Sequence, residues 1–566
     1  MMNDQGRVRS YTIEKSIESS STNIPTLKVT NPPGPFNINT IANGSRSRAS
    51  VDSRRYSQYT TWSIGNQNNS GRVSITRRKS AVNPGTTSIW CKLRIDVMIF
   101  FLIFASAVQN ITVTRIENDK ICFNQFHSRS EFCFPMTLDG QDTVNLTLQT
   151  VKRIYNIKPI ELSLSIIPAT LTTALFSIWI DAYPKYLKYM VSIPTLGFIC
   201  QVVILLVNTS FFELNSVASI LSYIPFGLLG GTISPMTAVY IFISRTTQFK
   251  DRLLRFAILH TFVITGSISG TMVGGWILRS RPWTTAQPEN YIGLLAFVLI
   301  IGLIWLTFFL PISPFVTPIE TSGTDNISEY SYKTTVSNYY ISQNIFKLSN
   351  LRVMWYTFTR PRLENGRLRL WLLIAGLLII LCCTSGRARI HFDFSARVYQ
   401  WDPMLITFIN LLIILVPTLF TLVTAPILTK TLDYEDTTVG IIGSISLLLM
   451  NIVRGFFLQP QGFIASYLCG CLSGLVTISI RSIISKIIEE YEIGQIFSIL
   501  STLEHIFPIL FSIFSEIILN YTFSINPGFI FWFFSTLLVF PVLLMIWLRA
   551  TKSNWNYSET QQFILS

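Results

Sequence analysis

The chain has 566 residues, of which 49% are apolar and only 13% charged, against roughly 25% charged in soluble domains. Mean hydropathy is +0.44, which excludes an ordinary soluble enzyme and a largely disordered chain and leaves a polytopic membrane protein. The net charge of +14 fits nucleic acid, anionic lipid, an anionic substrate or membrane topology, and its position along the chain separates them.

Residues 1–90 hold twelve basic and four acidic side chains, more than half of the net charge, among many Ser and Asn and with Pro32, Pro33 and Pro35. Without a long apolar run this stretch buries too little surface to offset its chain entropy, so 1–91 reads as a disordered basic tail held in the cytosol. No apolar segment follows Met1, so a cleavable leader is not expected. Arg54-Arg55-Tyr56-Ser57 and Arg77-Arg78-Lys79-Ser80 resemble basophilic kinase sites, at which a phosphate would remove nearly two charges. A basic tail with chance serines accounts for the same strings. Aromatic side chains are not interleaved with the basic ones, so nucleic acid is not expected as a partner.

Twelve apolar blocks follow, at about 95–112, 159–181, 189–208, 216–243, 254–277, 290–312, 368–386, 403–427, 438–457, 461–483, 496–520 and 527–548. Each is long enough to cross about 30 Å as a helix, and the runs are continuous rather than alternating, which argues against a barrel. Lys185, Lys188, Arg245, Lys250, Arg252, Lys430 and Lys486 fall in alternate short loops, while 209–215 and 521–526 carry no Lys or Arg. The positive-inside rule then puts both termini, including the 549–566 tail, in the cytosol. The first outer loop, 113–158, has six basic residues against five acidic ones and is long enough to escape the rule. The predicted class is an all-α polytopic membrane protein with two six-helix halves, 92–312 and 368–548, joined by a polar cytosolic linker at 313–367.

Of eight cysteines, Cys200, Cys382, Cys383, Cys469 and Cys471 fall in spans and read as packing residues. Cys122 and Cys133 share the first outer loop, which faces an oxidising space, and a disulfide between them is expected. Asn145-Leu146-Thr147 in that loop is the best-placed glycosylation sequon. Asn208 and Asn520 also head outer sequons but lie close to the bilayer.

Ionisable groups inside spans are costly and mark pathways or pairs. Glu504 lies near the middle of the eleventh span and reads either as a coupling or substrate group or as a carboxylate paired with a neighbouring helix. Its neighbour His505 points about 100° away, so the two do not share one partner. His260 in the fifth span has an ordinary pKa suited to proton exchange, and a packing role fits it equally. Arg481 near the inner end of the tenth span either holds an anionic group or snorkels to the surface. Asp96 and Glu161, near span ends, are expected to reach water. Arg387, Arg389, His391 and Asp393 read mainly as solvated charge at the outer mouth, with substrate steering as the second reading. Gly266, Gly270 and Gly274 form a smooth stripe for close helix approach, of a kind that would allow rocking between halves. The sequence has no GxxxxGK[ST] phosphate loop, HExxH or metal-spaced Cys/His cluster, so no enzyme activity, cofactor or metal is expected.

Several strings together resemble the solute carriers grouped with the proton-coupled folate transporter, solute carrier family 46 of the major facilitator superfamily, and arthropod members in particular. They are Arg481-Ser482-Ile483-Ile484-Ser485-Lys486 continuing to Glu492-Ile493-Gly494-Gln495-Ile496-Phe497-Ser498, Lys120-Ile121-Cys122-Phe123-Asn124 with Cys133, and Phe176-Ser177-Ile178-Trp179-Ile180-Asp181. Leu254-Arg255-Phe256-Ala257 and Gln400-Trp401-Asp402 add to them. The likeness spans roughly 92–548. It implies the major facilitator fold and secondary active transport by alternating access, often coupled to protons. It also implies an organic anion such as a folate, or another hydrophilic metabolite such as a peptidoglycan fragment. It marks Asp181, with Lys185, Lys486 and Glu492, as gate-motif residues, Arg481 as a substrate and proton residue, and Glu504 as a group shared with lysosomal-type members. The chain departs from the pattern at Pro184-Lys185-Tyr186, at His260 where relatives of the folate transporter carry Glu, and at Arg245 where an Asp is usual. The last two changes make the pathway more positive.

The sequence thus points to a twelve-span carrier of a small organic anion, working in the lipid bilayer with His260, Arg481, Glu504 and His505 as substrate and coupling residues. A monomer suffices, and protons are a candidate co-substrate. Without an acidic dileucine signal in either tail, the plasma membrane is expected over the lysosome. The alternative is a non-transporting receptor or scaffold on a carrier fold.

Overall fold

The computed structural model describes residues 60–64, 75–79, 89–120, 141–211, 216–279, 349–360, 362, 365–401, 403–489 and 492–551. The expected span at 290–312, the Cys122–Cys133 pair, Ser57 and Ser80 lie outside these residues. The N-terminal Met1–Ser80 is a unit of its own, separate from Ala81–Ser566. Its described part is an antiparallel ribbon of β1 (Thr60–Ile64) and β2 (Ile75–Lys79), with Thr60 opposite Lys79 and Ile64 opposite Ile75. The tail read as disordered therefore contains one paired element, in strings rich in the β-branched residues that favour strands.

Eleven described helices or helix pairs are long and apolar enough to cross a membrane. In the first half these are α1 (Ile89–Lys120), α2 (Gln141–Ala182), α3 (Tyr189–Ser210), the pair α4 (Tyr223–Leu228) and α5 (Ile233–Thr246), and α6 (Arg252–Arg279). Ser349–Thr359 forms a short helix, α7, within the stretch expected to be a plain linker. The second half holds α8 (Gly366–Val398), α9 (Pro403–Pro426), α10 (Asp436–Phe456) and the pair α11 (Pro460–Cys469) and α12 (Gly474–Ile487). It ends with α13 (Ile493–Thr522) and α14 (Phe529–Ala550). Helices are forced here because lipid offers no partner for a backbone N–H or C=O. Buried Pro541, like Pro194, Pro417 and Pro508, sits inside a helix that neighbouring helices support.

The first outer loop is shorter than 113–158, because α1 continues to Lys120 and α2 begins at Gln141. Asn145 therefore lies on a helix. Asn208 is 5% exposed and accepts a 2.8 Å hydrogen bond from Lys120 Nζ, so the asparagine of its sequon is buried.

Two spans are broken at matching places. The fourth span turns between α4 and α5 through Gly230 (φ +107°) and Gly231 (φ +52°), conformations a side chain would strain. The tenth turns through Gly470–Ser473 between α11 and α12, with Ser473 N–H donating to the Gly470 carbonyl at 3.0 Å. Interrupted helices at corresponding positions of two halves are a known pointer to a binding site.

The halves also pack alike: α1 lies along α6, and α8 along α13. The glycine stripe of α6 faces α1, not the other half. A Cβ on Gly266 would lie 2.9 Å from the Phe100 carbonyl oxygen, and one on Gly270 would collide with that of Phe104. The stripe thus serves the close helix approach its spacing announced, and it does so between two helices of one half. Contacts between halves run instead from α6 to α9 and α12, and from α13 to α2 and α5.

Candidate substrate and coupling site

The pieces α5 and α12 have fourteen residues each and follow the break in their spans. Placed side by side, they put Tyr240 opposite Arg481, Ser244 opposite Ser485 and Arg245 opposite Lys486. These three pairs organise the polar interior, so the site is built from an internal repeat.

Tyr240 and Arg481 meet around Glu504. Arg481 Nε donates to Glu504 Oε1 at 3.1 Å, and the Tyr240 hydroxyl donates to Oε2 at 3.2 Å. The Arg481 guanidinium also lies over the Tyr240 ring, 5.2 Å from its centre. Side-chain exposure is 12% for Arg481 and 7% for Glu504, so Arg481 turns inward rather than snorkelling. Phe497 and Phe256 wall the Tyr240 ring, with centroids 5.5 and 6.1 Å away. The triad joins the halves, since Tyr240 belongs to the first and the ion pair to the second. His260 on α6 lies within electrostatic range of Arg481. His505 donates from Nδ1 to the Ser501 carbonyl on its own helix at 2.7 Å, and so stands beside the triad rather than in it.

One to two turns nearer the end of the bundle expected to face the cytosol, the halves are bolted together. Arg252 donates to the Ser244 carbonyl at 2.5 Å and also to the Ser485 carbonyl, so one guanidinium holds both members of a repeat pair. Asp181 at the end of α2 forms an ion pair with Arg245 at 2.7 Å. Its two oxygens also accept from the Gly494 and Gln495 amides at 2.8 and 3.0 Å. Those amides open α13, where N–H groups have no partner within the helix and the helix dipole favours a negative charge. In the other half Lys486 meets Asp436 at 2.6 Å, and Ser482 donates to the same carboxylate. Glu492 takes Arg360 and Arg362 at 2.7 and 3.0 Å. Burial raises its carboxyl above the ordinary value near 4.5, with the two arginines opposing the rise. Lys185 lies in the tight turn Pro184–Tyr186 beside this lock.

Other charged residues depart from the sequence-based expectation. Asp96 is fully buried and paired with Arg255 at 2.5 Å, tying α1 to α6. Glu161 is 2% exposed and, with Glu117, accepts from Ser219, at 3.3 and 3.1 Å. Neither acid reaches water, because the helices carrying them extend past the expected span ends and pack there. Burial also lowers the Lys120 ammonium to about 8. His391 is 4% exposed, not solvated. Tyr240, Asp436, Arg252, Arg360 and Arg362 did not stand out in the sequence as site residues. The repeat Ile241-Phe242-Ile243-Ser244-Arg245 against Ser482-Ile483-Ile484-Ser485-Lys486 is the signal that finds Tyr240 and the lock.

A family model described as Major Facilitator Superfamily matches residues 136–512, two thirds of the chain. The chain belongs to the Major Facilitator Superfamily. Among solved structures of that fold, the human organic anion transporter MFSD10 superposes with a TM-score of 0.55 at 11% identity, over 80% of this chain and 99% of its own. The E. coli fucose:proton symporter FucP gives 0.56 at 8% identity, over 81% and 98%. A Drosophila melanogaster protein described as a probable peptidoglycan muropeptide transporter of the SLC46 type is 20% identical over 341 residues, 59% of this chain. The match spans 61% of that relative's length. This facilitator is thus an integral, multi-pass membrane protein of a transporter family, and its Arg245, unlike the resemblance's usual Asp, has an acidic partner in Asp181.

Proposed function

We propose that this facilitator is a secondary carrier of a small organic anion, working by alternating access and driven by protons. The observation that carries the reading is the Tyr240–Glu504–Arg481 triad, which joins the halves directly above the lock. Arg481 stays charged at any physiological pH, and its charge here is balanced by Glu504. A carboxylate substrate that binds Arg481 displaces Glu504 and leaves a second negative charge in a buried site. Protonation of Glu504 removes that repulsion. Anion and proton therefore enter together, and the net charge of the site is kept. Tyr240 donates to whichever oxygen replaces Glu504.

The MFSD10 and FucP folds support an anion and a proton as cargo classes, and the Drosophila relative supports a carboxylate-bearing peptidoglycan fragment. The loop charges support both termini in the cytosol. The Arg245–Asp181 pair weakens the scaffold alternative, because the departure at Arg245 keeps a working partner in the lock.

Uptake of a labelled muropeptide and a labelled folate into vesicles, at pH 5.5 and 7.4, tests the reading. Wild type should take up one of them several-fold faster at pH 5.5, and Glu504→Gln should respond equally at both values. Equal uptake by both proteins at both pH values overturns proton coupling, and no uptake of either anion favours the scaffold.

A further inference from the structure

A second concentration of positive charge lies in the outer part of the C-terminal half, away from the triad. Arg454 on α10 is fully buried. At 1.5 Å per residue it is about 27 Å from the inner end of its helix, whereas Arg481 is about 9 Å from the inner end of α12. Its guanidinium is sandwiched between Phe463 and Phe531, at 4.5 and 4.6 Å from the ring centres. Arg454 Nη1 donates to the Tyr467 hydroxyl at 3.0 Å and Nη2 to His391 Nδ1 at 3.3 Å. One turn along both helices, Arg387 Nη1 donates to Met450 Sδ at 3.5 Å. Two rungs thus connect α8 and α10, Arg387 to Met450 and His391 to Arg454.

The charges are not balanced. Among the described residues neither Arg387 nor Arg454 has an acidic partner, while the nearby Arg389 is paired with Glu516 at 2.9 Å. Asp393 is two residues past His391 and therefore about 200° around the helix. The hydrogen bonding is incomplete as well. An arginine can only donate, so His391 Nδ1 is the accepting nitrogen and Nε2 carries the proton. Among the described residues His391 Nε2 is buried without a partner, whereas Arg454 has the buried Tyr399 hydroxyl beside it as a neutral acceptor. An orphan donor on His391 beside two guanidinium groups without an acid asks for an acceptor that carries negative charge. Aromatic faces contribute about 0.5–2 kcal/mol each to a cation, but they do not accept the His391 N–H bond and bring no net charge.

We infer that the Arg454–His391–Arg387 cluster binds one small anion, a halide or a carboxylate, at a site separate from Arg481 and Glu504. The anion accepts from His391 Nε2, on the side of the ring away from Arg454 Nη2, and balances the guanidinium charge between α8 and α10. The inference stands whether or not the triad moves an organic anion.

The test uses the purified full-length protein, desalted into a buffer whose only anion is gluconate. Sodium chloride, sodium bromide, sodium acetate and sodium gluconate are titrated at matched ionic strength while thermal unfolding is followed. Chloride and bromide, or acetate, should raise the melting temperature saturably by about 5 °C, as expected for a ligand of the native state alone. A rise with the halides assigns a halide, and a rise with acetate alone assigns a carboxylate. His391→Phe, which keeps the ring stacked on Phe463 and removes the Nε2 donor, should lower the apparent affinity at least tenfold. Arg387→Leu should do likewise. The same small, unsaturated rise with all four salts, or a wild-type response in both His391→Phe and Arg387→Leu, overturns the inference. If either variant fails to fold, wild-type crystals soaked at saturation in bromide or acetate, whichever raised the melting temperature, decide: density for that anion at His391 Nε2 supports the site, and its absence overturns it.

Discussion

Arg245, the penultimate residue of α5, meets Asp181 at 2.7 Å, and Lys486, the penultimate residue of α12, meets Asp436 at 2.6 Å. The same position of the repeat thus carries a cation in each half, paired with an aspartate. The aspartates differ in what else they hold. Asp181 reaches across to the Gly494 and Gln495 amides, so the first half provides the latch and the start of α13 receives it. Asp436 is the first residue of α10 and accepts from Ser482, so its charge serves its own half. A carboxylate on an exposed helix N-terminus gains from the dipole and the free N–H groups in either case. Only in the first case do those groups belong to the opposite half. A symmetric repeat therefore gives an asymmetric set of contacts.

The largest effect is expected at Asp181. Asp181→Asn leaves Arg245 buried without its ion pair and weakens two charge-assisted bonds between halves, a change worth about 3–5 kcal/mol by analogy with broken buried pairs. Spin-label distances between the inner ends of α2 and α13 should lengthen and spread, and vesicle uptake should fall at least tenfold. Asp436→Asn should lower the melting temperature with the interhelical distance unchanged. Equal distance changes in the two variants would break the comparison.

An intermediate effect is expected at Gly494. A Cβ there lies 2.6 Å from Asp181 Oδ1 and 2.8 Å from the Ser177 carbonyl oxygen. Gly494→Ala should therefore shift the same spin-label distances in the same direction as Asp181→Asn in a protein that still folds. An unchanged distance would show that α2 moves aside at no cost and that the latch is looser than its geometry.

The smallest effect concerns Glu492, 2% exposed between Arg360 and Arg362. Burial raises its carboxyl above 4.5, so the folded state holds the proton more tightly than the unfolded chain. This group favours folding increasingly as pH falls toward 4.5, and the contribution is lost as pH rises through the raised value. The melting temperature of wild type should therefore gain on that of Glu492→Gln between pH 7 and pH 5. A constant gap would mean that the two arginines offset the burial.

Much of the architecture was legible in the sequence because it depends on local composition. The eleven described spans fall where apolar runs of about twenty residues stand. The partners of the site residues were not legible. Glu504, Arg481 and Asp181 stood out as rare charges or motif positions, but Tyr240 looked like one aromatic among many, and Asp96 and Glu161 looked like span-end charges. A hydropathy window does not report helix rotation, and rotation decides whether a polar group meets water, a partner or neither. The glycine stripe shows the same limit, since its spacing announced a close approach and only the fold assigned it to α1.

The sequence by itself determined that this is a bilayer protein, where its spans lie, and that few charges are inside them. Each of these follows from the cost of placing polar groups in lipid, which acts residue by residue. The tertiary structure decided which charges meet. Asp181 closes on Gly494 across 313 positions of chain, and Tyr240 on Glu504 across 264. Arg454 meets His391 with no acidic partner among the described residues. Such pairings depend on helix rotation and depth among neighbours, which any local stretch of sequence leaves free and the packed bundle fixes.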